Sequence, residues 1–299
     1  MPSLADLAEL VRAPAALSVP GDVVAGAAAA RALDQRVPGL AAASVLLYWG
    51  GMAANDWADR ELDARERPER PIPSGRVSPG LALGVSAGLT AAGVALAGLT
   101  GGRRALAVAV PLAGTIWAYD LVAKNTSAGP AVMAACRGLD VLLGASQGRA
   151  VRAVPAALTV AAHTYTVTEL SRREVSGASR ALPAATLAGT AAVAAAAMSA
   201  RRSGPDAGQR TAPGSGSGWR ALVPAALAGW YGLQYGTAQA RVAADPQASR
   251  VRAAVGAGIT GLPALQGALV ARAGAAVLGV AVAAAAPLGR RLARKVSPT

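Results

Sequence analysis

The 299-residue sequence has no phenylalanine, one cysteine and one histidine, and only 15% of its residues are charged. The single cysteine, Cys136, excludes an intramolecular disulfide and a cysteine-based metal site. Aromatic residues make up 3% of the chain, too few for the stacking surfaces of single-stranded nucleic-acid binders. Residues 1–20 have no basic stretch before an apolar core, so a cleaved signal peptide is not expected.

The net charge of +13 does not indicate nucleic acid as a partner. Basic residues lie between apolar segments and are not gathered on one tail or one helix face, which is where nucleic-acid binders concentrate them. The lipid bilayer is the partner that this distribution favours, since loops that stay inside the cell are enriched in Lys and Arg.

Apolar segments dominate the chain, with 53% hydrophobic residues and a mean hydropathy of +0.38. They lie at roughly 15–33, 38–57, 79–100, 104–120, 129–147, 153–170, 181–200, 219–240, 250–271 and 273–289. Many reach the length of about 20 residues that crosses hydrocarbon. We predict an all-α integral membrane protein with nine or ten transmembrane helices, forming a single domain over 1–299. Residues 201–218, rich in Gly, Ser, Pro and Arg, are predicted to be a flexible connection.

Orientation is predicted from the connection that follows the second apolar segment. It contains five arginines, Arg60, Arg65, Arg67, Arg70 and Arg76, and with the N-terminus inside it falls on the cytoplasmic side. Counting all loops in this orientation leaves more Lys and Arg inside than outside. We therefore expect a multi-pass protein of the cell membrane with these loops in the cytoplasm.

The most informative stretch runs from Asn55 to Gly75 and reads NDWADRELDARERPERPIPSG. If the helix continues, Asp56, Asp59 and Asp63 share one stripe. Clustered carboxylates repel one another unless a cation lies between them, and Mg²⁺ binds carboxylate oxygens together with water and substrate phosphates. A Mg²⁺–diphosphate site is one interpretation, and a solvated helix end at the membrane surface is the other.

This pattern, with Arg67-Pro68-x-Arg70-Pro71 after it, resembles the first aspartate-rich motif and following loop of the UbiA prenyltransferase superfamily. The resemblance implies a UbiA-type bundle of about nine transmembrane helices around a central cavity. It also implies a prenyl diphosphate donor, bridged by Mg²⁺ to the aspartates, and an acceptor that the sequence does not identify. Carried over, Asn55, Asp56, Asp59 and Asp63 would bind the metal and the diphosphate, and the three aspartates would be catalytic.

Two further pairs of residues are candidates for binding the diphosphate. Arg67 and Arg70 could hold phosphate oxygens or only keep their loop on the inner side of the membrane. Tyr119 and Lys124, after the fourth apolar segment, resemble the tyrosine and lysine that contact diphosphate in the family, which would make Lys124 a catalytic residue as well. A lysine at a helix end also commonly reaches for the membrane interface, so both readings of Lys124 stay open.

Arg137 and Asp140 lie inside the fifth apolar segment and resemble the family pattern Arg-x-x-Asn, with Asp in place of Asn. Ionisable residues within a membrane segment indicate either function or mutual pairing. Substrate binding and an ion pair between the two are therefore both expected possibilities.

The family's second aspartate-rich motif follows the sixth segment, and there this sequence departs from the pattern. Arg172 and Arg173 occupy its middle, and Glu174 is its acidic remnant. We assign Glu174 to metal binding and catalysis, and the two arginines to the diphosphate. The departure leaves the number of metal ions, and catalysis itself, open.

Three functions fit these observations: a prenyltransferase, a terpene cyclase that needs no acceptor, and a prenyl-lipid-binding protein without catalysis. The scarcity of aromatic side chains counts against a cyclase, because aromatic faces stabilise carbocations. His163, the only histidine, is expected to be packed and hydrogen-bonded, with a general base as the alternative.

Overall fold

The computed structural model describes residues 2–179, 181–198 and 218–284, and this part of the chain is helical without β-strands. The helices are α1 (Leu4–Leu10), α2 (Pro20–Ala30), α3 (Val37–Ala58), α4 (Arg60–Glu66), α5 (Pro79–Ala118), α6 (Gly129–Ala145), α7 (Val154–Ser171), α8 (Ala181–Met198), α9 (Gly218–Ala244), α10 (Ala248–Arg272) and α11 (Ala276–Ala283). The predicted connection 201–218 lies outside the described residues except for Gly218, as does the end of the predicted segment 273–289.

Among the residues that the structure describes, four helical stretches are long and apolar enough to cross a bilayer: Val37–Ala58, Pro79–Ala123, Ala181–Met198 and Ala248–Arg272. Each reaches or approaches the length that hydrocarbon requires. The described part of the chain is therefore all-α with four candidate membrane spans, in agreement with the apolar pattern. The total of nine or ten spans stays a prediction.

Helix α5 folds back on itself at Gly102, which joins the predicted segments 79–100 and 104–120 into a helical hairpin. Gly102 has φ 61° and ψ −154°, a conformation open to glycine and strained for other residues. A Cβ on Gly98 would lie 3.0 Å from Leu106 Cδ2, whereas eight residues along a straight helix span about 12 Å. Helix α3 packs against both arms of this hairpin, touching Thr90 on one and Ile116 on the other.

Helices α2 and α6 touch through their backbones. A Cβ on Gly26 would overlap the carbonyl oxygen of Val141, and one on Gly144 would overlap the carbonyl oxygen of Val23. Small residues allow helices to approach this closely in lipid, where van der Waals packing holds them together. The contact brings Asp22 of α2 beside α6.

A second packed region joins α7, α9 and α10 around two fully buried tyrosines, Tyr231 and Tyr235. His163 is buried here, and its Nδ1 lies 2.8 Å from the Tyr231 hydroxyl. The rings of both tyrosines meet the His163 ring edge-on. This confirms the prediction that His163 is packed and hydrogen-bonded.

Candidate diphosphate site and cavity

The aspartate motif does not form one continuous helical stripe, because the helix breaks at Asp59. This residue has φ −89° and ψ 2° and separates α3 from α4. Asp56 and Asp63 are nevertheless buried, at 4% and 2% exposure, and they converge on one guanidinium group. Arg70 Nη1 lies 3.4 Å from Asp56 Oδ1 and 2.6 Å from Asp63 Oδ2. The turn therefore brings the two carboxylates together with Arg70 between them.

Arg12 is a further candidate site residue, which the sequence did not predict. It lies just after α1, with a left-handed backbone (φ 49°), and its Nη2 is 2.8 Å from Asp56 Oδ1. Arg67 stands further off, with Nη1 3.8 Å from Asp63 Oδ1. No local pattern marks Arg12, because 44 residues separate it from its partner.

Helix α5 ends in a π-helical turn, Tyr119–Ala123, that brings two more groups to the motif. The backbone N–H of Lys124 donates to the Tyr119 carbonyl. The side-chain Nζ of Lys124 lies 2.6 Å from Asp59 Oδ1. Asn55 Nδ2 donates to Asp120 Oδ1 over 3.1 Å. π-turns within helices are frequent at functional sites. Asp120 was not among the predicted site residues, although it follows Tyr119 directly.

The loop that follows α7 reaches the same end of the bundle. Arg172 Nη1 donates to the Thr126 carbonyl over 2.6 Å, and Arg252 Nη1 donates to the Glu174 carbonyl over 2.8 Å. Burial raises the pKa of Glu174, while the charges of Arg252 and Arg67 act in the opposite direction. Arg173 is exposed. Glu174 therefore lies within electrostatic reach of Arg67, in the loop that follows α4.

A cavity extends from this polar end into the helices. Most of its wall is apolar, including Leu47, Met52 and Ile116. Tyr119 and Asp120 line it as well, and they connect it to the aspartate motif. The arrangement provides an apolar chamber with a charged group of residues at one end.

Arg137 and Asp140 also line this cavity, but they do not pair with each other, so the expected ion pair between them is wrong. Arg137 Nε lies 2.9 Å from Asp22 Oδ2, because the close contact of α2 and α6 offers that carboxylate instead. Gln266 Nε2 donates to the other oxygen of Asp22 over 2.6 Å. Asp140 Oδ1 accepts a hydrogen bond from Ser44 Oγ over 2.5 Å.

The residues of the aspartate motif fit Mg²⁺ in their chemistry, although they form no closed set of ligands. Within the described ranges, no group of three or more His, Cys, Asp or Glu side chains is arranged to hold a metal ion. Mg²⁺ usually takes only one or two protein carboxylates and completes its coordination with water and substrate phosphates. Asp59 suits such an open site, since its side chain is 23% exposed.

Comparison with known proteins gives matches to the UbiA family. The UbiA prenyltransferase family model matches residues 18–173, just over half of the chain. Digeranylgeranylglyceryl phosphate synthase of Methanopyrus kandleri is 37% identical over 132 residues, which are 44% of this chain and 47% of the relative. The synthase of Methanothrix thermoacetophila is 56% identical over 57 residues, 19% of this chain and 21% of the relative. The chain thus spans about half the length of these relatives or less.

Solved structures show the same fold over nearly the whole chain. One, from work on digeranylgeranylglyceryl phosphate synthase in membranes, has a TM-score of 0.64 and 16% identity and covers 90% of this chain and 97% of its own. The apo structure of a UbiA homologue from Aeropyrum pernix K1 has a TM-score of 0.60 and 20% identity, covering 88% and 96%. With the family model matching more than half of its residues, this chain belongs to the UbiA prenyltransferase family.

Proposed function

We propose that the protein transfers an isoprenyl group from a prenyl diphosphate to a small acceptor within the membrane, in a Mg²⁺-dependent reaction. The observation that carries this proposal is the apolar cavity with the aspartate motif and three cations at one end. A prenyl diphosphate has the same division, with a charged head and an apolar tail. Residues 1–299 would act as a single membrane domain.

The head would be bound by groups that are now paired with carboxylates. Arg12, Arg70 and Lys124 contact the aspartates, and each offers charge-assisted N–H donors to phosphate oxygens. Arg67, Arg172 and Arg173 add positive charge at the rim, and Tyr119 adds a hydroxyl at the cavity wall.

The carboxylates and the neighbouring amide fit a metal-binding role. Asn55, Asp56, Asp59 and Asp63 would hold Mg²⁺, with Glu174 as a further carboxylate, and the ion would stabilise negative charge on the departing diphosphate. Lys124 and Arg70 act on the same charge through hydrogen bonds that strengthen as the carbon–oxygen bond breaks.

In the transfer, the bond between the prenyl carbon and the diphosphate oxygen breaks, and its electron pair leaves with the diphosphate. The acceptor's nucleophilic atom forms the new bond to that carbon and releases a proton. Leu47, Met52 and Ile116 keep water from the allylic cation, because they form an apolar wall around the tail. The loops that carry Arg67 and Arg172 would face the cytoplasm, given the arginines that follow α3.

The relatives' name refers to a glyceryl phosphate carrying two geranylgeranyl groups. This suggests a glyceryl phosphate with one such group as an acceptor to test here. Aromatic acids, quinol precursors, cyclitols and sugar phosphates remain acceptors to test as well, since the matched segments cover only part of each relative.

The experiment is pyrophosphate release by the purified protein in nanodiscs with Mg²⁺, across geranyl, farnesyl, geranylgeranyl and longer donors. Each donor is tested with and without the acceptor panel and a membrane extract, and products are followed by mass spectrometry. Release that requires an acceptor supports the transferase. Release without acceptor identifies a cyclase or a donor hydrolase, and binding of donors without release identifies a lipid-binding protein.

The double variant Asp56→Ala/Asp59→Ala should abolish acceptor-dependent release while the protein stays folded. Its matched control is Glu61→Ala/Glu66→Ala, which removes two exposed acids of α4. Unchanged release in the aspartate variant contradicts the assignment of the motif.

A further inference from the structure

The cavity has a second polar position, well separated from the aspartate motif. Asp140, 5% exposed, lies on its wall together with Ser44 and Arg137. Ser44 and Asn55 belong to the same helix, α3, eleven residues apart in the sequence. At 1.5 Å per residue this separation is about 16 Å. A diphosphate bound at the motif cannot also reach Asp140, so this position contacts a different part of the substrates.

Asp140 has unused hydrogen-bonding capacity. Its Oδ1 accepts from Ser44, but its Oδ2 has no hydrogen-bond partner among residues 2–179, 181–198 and 218–284. Buried polar atoms are rarely left in this state, because an unmade hydrogen bond is costly away from water. An apolar prenyl tail would not satisfy this oxygen, whereas a ligand with a polar hydrogen would.

The charges around Asp140 restrict the ligand further. Arg137, the cation on this wall, is already paired with Asp22, whose two oxygens contact Arg137 and Gln266. A phosphate or carboxylate bound here would therefore face the Asp140 carboxyl group, and the described residues that line the cavity offer it no free cation. A neutral hydroxyl suits the position in either protonation state of Asp140, since it can both donate and accept.

We propose that Asp140, with Ser44, forms a sub-site that binds a neutral hydroxyl group of the acceptor, an alcohol or a phenol, and discriminates against anions. The inference rests on the proposed function in one respect: the cavity is taken to be the place where the acceptor binds. Asp140 is a specificity-determining residue in this proposal, separate from the residues that hold the diphosphate.

The test uses 2-naphthol and its methyl ether, 2-methoxynaphthalene, two neutral probes that differ in one hydroxyl hydrogen. Binding to the protein in nanodiscs is measured at equilibrium, with empty nanodiscs as the blank for partition into lipid. The wild type should bind 2-naphthol about tenfold or more tightly than the ether, because a hydrogen bond to a buried carboxyl group has roughly that worth. The anion 2-naphthoate should bind more weakly than 2-naphthol.

Asp140→Leu should reduce the affinity ratio of the two neutral probes to about one, since it removes the oxygen that distinguishes them. Asp140→Asn keeps the shape and one acceptor oxygen, so it should retain part of the affinity ratio. It also serves as the test if Asp140→Leu does not fold. Asp120→Leu, at the other end of the cavity, should leave the ratio unchanged. The two neutral probes binding equally to the wild type, or an unchanged ratio in Asp140→Leu, would overturn the sub-site.

The outcome is independent of catalysis, because neither probe carries a diphosphate. If the affinity ratio of the two neutral probes falls to about one only in Asp120→Leu, the hydroxyl binds at the motif end of the cavity, and the assignment to Asp140 is likewise overturned. A protein that passes this test but releases no pyrophosphate would retain the sub-site and lose the proposed transferase function.

Discussion

Lys124 Nζ lies 2.6 Å from Asp59 Oδ1, joining the π-turn after α5 to the break between α3 and α4. The pair connects two segments that are 65 residues apart and leaves the other aspartates of the motif to arginines. In the proposed function, Lys124 would exchange this carboxylate for a phosphate oxygen when a prenyl diphosphate binds.

Lys124→Met should lower turnover by about 10² to 10³, the loss typical of removing one donor that stabilises developing negative charge. Lys124→Arg should retain part of the activity, because it keeps the charge. The measurement is acceptor-dependent pyrophosphate release. Arg103→Met, which removes an exposed cation at the turn of the α5 hairpin, serves as the control. Equal activities of Lys124→Met and the control would refute the role.

Arg70→Met should raise the affinity for divalent ions in the absence of donor and lower the affinity for the donor. Arg70 contacts both Asp56 and Asp63, so its removal takes away one positive charge that competes with a divalent ion for these carboxylates, while Arg12 stays beside Asp56. Mn²⁺ titration followed by electron paramagnetic resonance measures the first effect, and the donor KM measures the second. A metal affinity that falls in this variant would show that Arg70 does not compete with the ion.

Gly144→Ala should destabilise the protein by about 1–3 kcal/mol or more, the range for overpacking a tight contact. The added methyl group would overlap the Val23 backbone of α2, which cannot yield as a flexible side chain would. Gly84→Ala is the matched control, since nothing lies within 4 Å of its Cβ position. The control should be neutral or stabilising by about 0.5–1 kcal/mol, the usual gain of alanine over glycine in a helix. Thermal unfolding in detergent compares the two, and equal melting temperatures would contradict the close contact.

Glu174→Gln should reduce the dependence of stability on pH just above pH 4.5. Burial raises the pKa of Glu174 above its ordinary value of 4.5, so the folded protein holds this proton more tightly than the unfolded chain. The stability that this provides is fully present below pH 4.5 and is lost as the pH rises through the folded pKa. Unfolding of wild type and variant between pH 4 and pH 7 tests this. Parallel pH profiles would show that Glu174 is not buried as described.

Helix positions were predicted closely from the sequence, because apolar runs end at Pro, Gly or charged residues. The predicted segment 38–57 is helix Val37–Ala58, and 129–147 is Gly129–Ala145. The break at Asp59 was not predicted, since most residues from Arg60 to Glu66 are good helix formers and no Gly or Pro among them signals an interruption.

The candidate site was predicted only where its residues are close in sequence. Asn55 to Arg70 could be proposed as one group because they are close in sequence. The chain reverses direction after α4, and this places them together at one end of the helices. Arg12 with Asp56 and Asp22 with Arg137 depend on which helices are neighbours, which periodicity does not reveal. For the same reason, the sequence offered Asp140 as a possible partner of Arg137 and gave no sign of Asp22.

The balance of charge in the motif has a thermodynamic consequence. Asp56, Asp59 and Asp63 face Arg12, Arg70 and Lys124, with Arg67 further off. A diphosphate arriving alone would add about three negative charges to these nearly balanced groups. Arrival with a divalent cation leaves most of that charge cancelled, which couples the two binding events. Because such coupling is reciprocal, the donor would raise the affinity for the metal by the same factor as the metal raises the affinity for the donor. The affinity for the metal or for the donor, measured alone, should thus be weaker than the affinity measured in the presence of the other.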